Sequence, residues 1–222
     1  MFHLVKILML TTMFITFEGL DFSGKSTQAT ILVERLRKAH SVVHFLREPG
    51  GTTISERIRD ILLDKKNLEM TDAAELLLFS AARAQLVKEV IVPALQRGEV
   101  VVCDRYYDST TAYQGYGRGI DRDTVRSINR LATGGTDPDM TFLVDIPVEE
   151  IEKRKHRAGL SLDRMESSGR DFYERVRNGY LEIAVNEAHR FVVLDGMRDV
   201  DEIARDIWKI VEKKNVVSRP SQ

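Results

Sequence analysis

The sequence has a single cysteine, Cys103, among 222 residues, so a disulfide framework and a cysteine-rich zinc site within the chain are excluded. Charge of one sign is also lacking, because 33 Lys and Arg residues stand against 34 Asp and Glu residues and leave a net charge of −1. A balanced chain has no overall field that recruits polyanions, so any phosphate site has to be built locally. We therefore expect no nucleic-acid partner.

The apolar N-terminus lacks the length of a membrane span. Residues 1–12, MFHLVKILMLTT, are too short to cross a bilayer, and no small-residue cleavage site separates them from the motif that follows. Because Met13 opens a natural first strand, MFITFEG, we interpret 1–12 as a non-functional N-terminal extension. We expect one domain over 13–214, a tail over 215–222, no membrane partner and a cytoplasmic location.

Short β-branched apolar runs alternate with segments of helical period along the chain. This alternation predicts an α/β fold in which a five-stranded parallel sheet is covered by helices on both faces. Ligands of such sheets bind at the carboxyl ends of the strands, where Gly19, Asp104 and Asp145 fall. Strands are predicted at 13–19, 41–48, 99–106, 139–147 and 190–196, and the main helices at 25–38, 53–64, 72–95 and 199–214.

Residues 152–177 depart from this pattern. They are densely charged, are interrupted by Gly159 and Gly169, and lack a strong apolar stripe at their centre. We interpret them as a helix, a mobile loop and a second helix, with a lid over about 153–170.

The stretch GLDFSGKS has the spacing of a phosphate-binding loop. Its glycines let backbone N–H groups converge on phosphate oxygens, and the helix that follows adds a favourable partial charge. Lys25 would reach the β- and γ-phosphates, and the Ser26 hydroxyl would reach Mg²⁺. The candidate ATP-binding residues are Gly19, Leu20, Asp21, Phe22, Ser23, Gly24, Lys25, Ser26 and Thr27. The alternative is a chance glycine-rich turn.

Asp104 and Arg105 end a buried strand and form the second candidate cluster. The carboxylate can hold a Mg²⁺ water, and the guanidinium can bind phosphate in a bidentate manner. A strand-end ion pair is an equal interpretation of these two residues alone. GTPases usually carry an Asn-Lys-x-Asp motif, which this sequence lacks.

Five segments, in this order, make the chain resemble the thymidylate kinases: FITFEGLDFSGKSTQ, REPGGT, LLLFSAARAQ, DRYYDSTTAYQG and the charged segment ending DRMES. The resemblance covers Met13 to about Lys214. It implies a P-loop NTPase fold of the nucleoside monophosphate kinase type with a lid. It also implies a homodimer and transfer of the γ-phosphoryl group of ATP, bound with Mg²⁺, to dTMP in dTTP biosynthesis.

The resemblance also implies a pocket for dTMP. Phe79 would stack on the thymine ring, Arg83 would hydrogen-bond its edge, and Tyr113 would press on the sugar and select deoxyribose. From the residues alone, core packing of Phe79 and a solvated position of Arg59 stay open. The implied dTMP-binding residues are Asp21, Arg59, Phe79, Arg83, Arg105, Thr110, Tyr113 and Gln114.

Phe22 stands where some members of the family place an arginine in the loop. The resemblance is therefore to members whose lid supplies the guanidinium that meets charge on the transferred phosphoryl group. We favour Arg154 and Arg157 over Arg164, which could instead pair with Asp163 and hold the lid together. The implied catalytic residues are Lys25, Asp104, Arg105, Arg154 and Arg157, and the implied metal ligands are Ser26 and Asp104.

Two other functions stay open at this level. One is a kinase for another nucleoside monophosphate or for a deoxynucleoside. The other is a nucleotide-binding module or NTPase without a second substrate. ATP turnover that does not rise with dTMP would favour the latter.

Overall fold

The structure, a computed structural model, describes residues 12–39, 42–158, 164–165 and 169–217. Within this part, five parallel strands form one sheet in the order β2-β3-β1-β4-β5. The fold class and the five strands predicted from the sequence are thus confirmed. The strands are β1 Met13–Glu18, β2 Val43–Arg47, β3 Val100–Asp104, β4 Met140–Asp145 and β5 Phe191–Asp195.

Alternation along β1 explains how the sheet is covered on both faces. Met13, Ile15 and Phe17 belong to the core that includes residues of the first and last helices, whereas Phe14, between Met13 and Ile15, packs with Leu86 on the opposite face. Because side chains alternate in a strand, Glu18 lies on the same face as Phe14. It is buried there at the carboxyl end of the strand.

The four main helices predicted from the sequence are present and begin and end close to the predicted positions, except that a π-helical segment, Val87–Ile91, interrupts the helix predicted over 72–95. A second π-helical segment, Thr111–Gly117, continues a short helix, Tyr107–Thr110, that was not predicted. The helices are α1 Lys25–Lys38, α2 Thr53–Leu63, α3 Asp72–Leu86, α4 Val92–Gln96, α5 Tyr107–Thr110, α6 Arg122–Thr133, α7 Val148–Ala158, α8 Arg170–Asn186 and α9 Val200–Val217.

The sequence prediction missed α6, although its ends carry readable signals. The Asp121 carboxylate accepts a hydrogen bond from the Thr124 N–H at 2.8 Å, and Gly134 ends the helix in the left-handed region with φ of 59°. Such an N-cap and such a C-terminal glycine are common helix boundaries.

Several predictions lie partly or wholly outside the described residues. These are the N-terminal extension up to residue 11, the last five residues of the tail, and residues 159–163 and 166–168 of the lid. The helices that flank the predicted lid loop, α7 and α8, are both present. Among the described residues, no helix combines the length and apolar character that a bilayer crossing requires.

Candidate active site

The phosphate-binding loop joins β1 to α1, as the motif predicted. Gly19 has φ of 139°, and an added Cβ would lie 2.4 Å from the Val144 carbonyl oxygen, so only glycine fits there. Gly24, at the N-terminus of α1, has φ of 95°. Lys25 is buried and donates to the Leu20 carbonyl at 3.3 Å, which turns its ammonium group back over the loop. Burial and the charge of Arg105 lower the pKa of Lys25.

Ser26 and Asp104 meet at the mouth of this loop. The Ser26 hydroxyl donates to one Asp104 oxygen at 2.5 Å, whereas the other oxygen, Oδ1, is buried and has no partner among the described residues. A hydroxyl oxygen beside an unpartnered carboxylate oxygen suits Mg²⁺, which prefers oxygen ligands. The two predicted metal ligands therefore fit the ion.

Arg105 forms hydrogen bonds both to the phosphate-binding loop and to residues that follow β3. Its Nη2 donates to Asp21 at 2.5 Å and to the Tyr113 hydroxyl at 3.2 Å. Its Nη1 donates to the Gly19 carbonyl at 3.0 Å and to the Ser109 hydroxyl at 3.1 Å. The guanidinium thus connects the phosphate loop to the helix that follows β3.

The backbone of Arg105 is in an uncommon conformation. Its φ is 70°, in the left-handed region, which a side chain other than glycine rarely adopts outside functional sites. Two hydrogen bonds hold this turn. The Arg105 N–H donates to the Phe17 carbonyl at 2.9 Å, and the Tyr106 N–H donates to Glu18 Oε1 at 2.7 Å.

Glu18 is a site residue that the sequence prediction missed. Its second oxygen, Oε2, accepts from the hydroxyls of Ser109 at 2.6 Å and Tyr180 at 2.9 Å, and both hydroxyls also accept from Arg105. Burial and the nearby charge of Asp108 raise the pKa of Glu18 to about 7, against the opposing effect of Arg105.

Asp21 lies between the loop and the predicted sugar site. Besides Arg105, it accepts from the Tyr113 hydroxyl at 3.1 Å and the Tyr173 hydroxyl at 3.3 Å. Burial alone would raise its pKa, but the charges of Arg105 and Lys25 outweigh that effect and lower it. The carboxylate is therefore ionised at neutral pH.

One cavity joins the loop to the predicted acceptor residues. Phe79 lines it and also packs against the core beside α8. Arg59 lines it and donates to the Pro49 carbonyl at 2.8 Å. The remaining predicted residues in its wall are Asp21, Phe22, Lys25, Ser26, Arg83, Asp104, Arg105, Thr110, Tyr113 and Gln114. Leu20 is buried in the core below, and Thr27 is exposed on α1.

Arg83 is 2% exposed and is held by the protein itself. Its Nε donates to Glu48 at 2.7 Å, and its Nη1 donates to the Thr110 hydroxyl at 2.9 Å. Nη2 donates to the Tyr106 carbonyl at 3.2 Å. In the structure Arg83 thus connects α3 to the segments that follow β2 and β3, and its contact with a base stays a prediction.

The lid arginines lie in different surroundings. Arg154 donates to the Phe22 carbonyl at 3.1 Å, the Ser23 carbonyl at 3.2 Å and the Gly196 carbonyl at 3.0 Å. Arg157 is exposed near the end of α7. Arg164 is nearly buried, and it is paired at 2.7 Å with the buried carboxylate of Glu75. Its predicted partner Asp163 lies outside the described residues.

Comparison with known proteins points to one family. A family model described as Thymidylate kinase matches residues 17–207. The thymidylate kinase of Chlorobium phaeobacteroides is 49% identical over 210 residues, which cover 91% of this chain and 95% of that protein. The thymidylate kinase of Pelodictyon phaeoclathratiforme is 52% identical over 210 residues, covering 91% and 96%.

A solved structure agrees with the sequence comparisons. The crystal structure of thymidylate kinase from Ehrlichia chaffeensis is 35% identical, with a TM-score of 0.74. The match covers 91% of this chain and 99% of that chain.

Proposed function

Since the chain belongs to the thymidylate kinase family, we propose that its site transfers the γ-phosphoryl group of ATP to dTMP and releases dTDP and ADP. The observation that carries this proposal is the shared cavity. Lys25 and Ser26 of the phosphate loop line it together with Phe79 and Gln114 of the predicted acceptor pocket. A site that only bound or hydrolysed a nucleotide would not need a second pocket open to the same space.

The chemistry follows from positioning and charge. A phosphate oxygen of dTMP attacks the γ-phosphorus in line, and the bond from that phosphorus to the β–γ bridging oxygen breaks. The second pKa of a phosphate monoester lies near 6, so the nucleophile is already anionic at neutral pH and a strong general base is unnecessary. Backbone N–H groups of the loop and the Lys25 ammonium orient the donor phosphates.

Arg105 would bind the dTMP phosphate while its bonds to Asp21 and Gly19 keep it in place. A guanidinium already fixed by protein acceptors loses little side-chain entropy when it meets an anion. Asp21 would accept from the sugar 3′-hydroxyl, because its carboxylate is ionised and lines the cavity.

Ser26 and Asp104 would hold the Mg²⁺ that accompanies ATP. Bound there, the ion would neutralise charge on the β- and γ-phosphates. The unpartnered oxygen of Asp104 supports this role, since a buried carboxylate oxygen without a hydrogen bond is costly unless a ligand or water meets it.

Among the lid arginines, we propose Arg157 for the transferred phosphoryl group. Arg164 is committed to Glu75, and Arg154 is committed to carbonyls of the phosphate loop. The bonds from Arg154 support a different role: they hold the loop carbonyls outward, so that the N–H groups can face the phosphates.

We also propose a homodimer in the cytoplasm. Supporting the dimer, large apolar side chains are exposed on α3 and on the two helices that pack against it, α2 and α6. They are Ile54, Ile61, Leu77 and Leu131. Exposed apolar surface of this kind commonly marks an interface. The location rests on family membership and on the sequence argument alone.

The reaction is tested by measuring ADP release from ATP with a panel of nucleoside monophosphates. We expect dTMP to raise the rate far above the rate with ATP alone and above the rates with dCMP, dAMP and dGMP. Preference for another monophosphate would assign a different kinase activity. A rate that no monophosphate raises would indicate an NTPase or a binding module.

A further inference from the structure

Glu75 is a buried carboxylate beside the cavity, one helical turn before Phe79 on α3. It is 1% exposed, yet three side chains donate to it. Gln114 Nε2 donates to Oε1 at 2.8 Å, and Arg164 Nη1 is paired with Oε2 at 2.7 Å. Arg118 donates to both oxygens at 3.2 Å. A buried carboxylate with this set of donors is well satisfied, so its position is fixed.

The charge of Glu75 determines which way the Gln114 amide points. Burial opposes ionisation, but the hydrogen bonds from Arg118, Gln114 and Arg164 outweigh it and lower the pKa of Glu75. An ionised carboxylate only accepts hydrogen bonds, so the amide nitrogen of Gln114 must face it. The carbonyl oxygen then lies at the other end of the amide.

The burial of Gln114 reinforces this orientation. Gln114 lies in the π-helical segment Thr111–Gly117, which is packed against α8, and its side chain is 1% exposed. It lines the same cavity as Phe79 and Tyr113. With so little free space, the amide cannot rotate without breaking its bond to Glu75.

A fixed amide distinguishes pyrimidine bases by the hydrogen-bonding pattern of their edges. Thymine and uracil present an N–H donor at ring position 3 between two carbonyl acceptors. Cytosine presents an acceptor nitrogen at position 3 beside an amino donor. A carbonyl oxygen held toward the base accepts a hydrogen bond from the N–H at position 3 of thymine or uracil. In cytosine the same oxygen faces the lone pair of the nitrogen at position 3, and the two repel each other.

We propose that Glu75 is a positioning residue that holds the Gln114 carbonyl oxygen toward the base and thereby selects an N–H at ring position 3. The inference rests on the proposed function, because it requires the base of a monophosphate to lie beside Phe79 and Gln114. Glu75 itself contacts the protein and acts through Gln114.

The test compares dissociation constants of dTMP, dUMP and dCMP for three proteins, measured by calorimetry. In wild type, dTMP and dUMP should bind more tightly than dCMP. Glu75→Gln offers Gln114 a group that both donates and accepts, so the amide can turn over. The dCMP:dTMP ratio of dissociation constants should then fall by about tenfold or more. This change is smaller than the full discrimination that a hydrogen bond between a site and its ligand can provide.

The dUMP:dTMP ratio is the internal control. Both bases carry the N–H at position 3 and differ by one methyl group, so this ratio should stay within about twofold of wild type in Glu75→Gln. General damage to the pocket would change all three constants together. A Glu75→Gln protein that melts like wild type but keeps the wild-type dCMP:dTMP ratio would overturn the proposal.

Gln114→Met provides a second arm that does not depend on the folding of Glu75→Gln. It removes the amide but keeps a side chain of similar length, and it should reduce the preference for dTMP over dCMP by at least as much as Glu75→Gln does. The double variant should lose no more than Gln114→Met alone, because Glu75 acts through that amide. Retained preference in Gln114→Met, or additive loss in the double variant, contradicts the inference. A wild type that does not prefer dTMP would refute the proposed function instead.

Discussion

At the scale of single residues, buried carboxylates organise the arginines of the site. Glu18 holds the turn after Arg105 and the two hydroxyls that accept from its guanidinium. Glu48 holds Arg83, and its second oxygen is buried without a partner among the described residues. A buried ion pair of this kind contributes position more reliably than net stability.

Glu18 should make stability depend on pH. Burial and Asp108 raise its pKa from 4.5 to about 7. Between these pH values the folded chain binds the proton that the unfolded chain has released, so the free energy of unfolding falls as pH rises through this window. Glu18→Gln lacks this dependence. Between pH 4.5 and pH 8 the difference in free energy of unfolding between the variant and wild type should therefore change in favour of the variant by on the order of 3 kcal/mol. Urea denaturation across that range measures the difference.

Ser109→Ala is the converse variant. It removes a hydrogen bond that lowers the pKa of Glu18 but no ionisable group, so its stability should fall with rising pH at least as steeply as that of wild type. If the Glu18→Gln curve runs parallel to the wild-type curve across the range, Glu18 does not titrate as described.

At the scale of elements, the five strands and the ends of the main helices could be predicted from the sequence, whereas the order of the strands in the sheet comes from the structure. Each strand is a short apolar run, and the phosphate-binding loop and Asp104 both lie where strands end, so the pairing of β1 with β3 brings Gly19 and Asp104 together. The π-helical segments could not be predicted, because their hydrophobic pattern matches that of an α-helix. Tyr113 and Gln114 lie in one of them.

The sequence prediction also missed the buried carboxylates of Glu75 and Glu18. Glu75 falls in the first turn of α3, where an acidic residue is expected on exposed surface because it favours the helix dipole. Only the folded chain brings Gln114, Arg118 and Arg164 to it from distant segments. The sequence does show that Glu18 ends an apolar strand directly before a glycine, and this signal could have been used.

The two arginines of α7 should respond differently to alanine substitution. Arg157→Ala should lower kcat by about 100-fold or more, because a guanidinium that stabilises the transferred phosphoryl group acts in the transition state. Its dTMP affinity should change little. Arg154→Ala should lower kcat too, and should also raise the KM for ATP, since the loop carbonyls of Phe22 and Ser23 lose their donor.

Steady-state kinetics with both substrates, together with dTMP titration calorimetry, separates these effects. Arg205→Ala, at an exposed position of α9, is the control and should match wild type. If neither α7 variant lowers kcat, the transferred group is stabilised by other residues.

At the scale of the whole molecule, the apolar surface on α2, α3 and α6 should determine the oligomeric state. Leu77 is 56% exposed on α3. Leu77→Glu places a charge in the proposed interface and should weaken dimerisation by about 100-fold or more, because an unpaired buried charge is costly. Analytical ultracentrifugation over a concentration series measures this change.

Val185→Glu is the comparison, because Val185 is 77% exposed on α8 and lies outside those three helices. It should sediment as wild type does. A wild type that stays monomeric at high concentration would refute the homodimer.

The most direct test of phosphoryl transfer follows the γ-phosphate of labelled ATP. Wild-type protein is incubated with γ-labelled ATP, Mg²⁺ and dTMP, and the labelled products are separated. We expect the label in dTDP, with little inorganic phosphate, and no labelled nucleoside diphosphate when dTMP is omitted. Label recovered mainly as inorganic phosphate at a rate independent of dTMP would contradict the account.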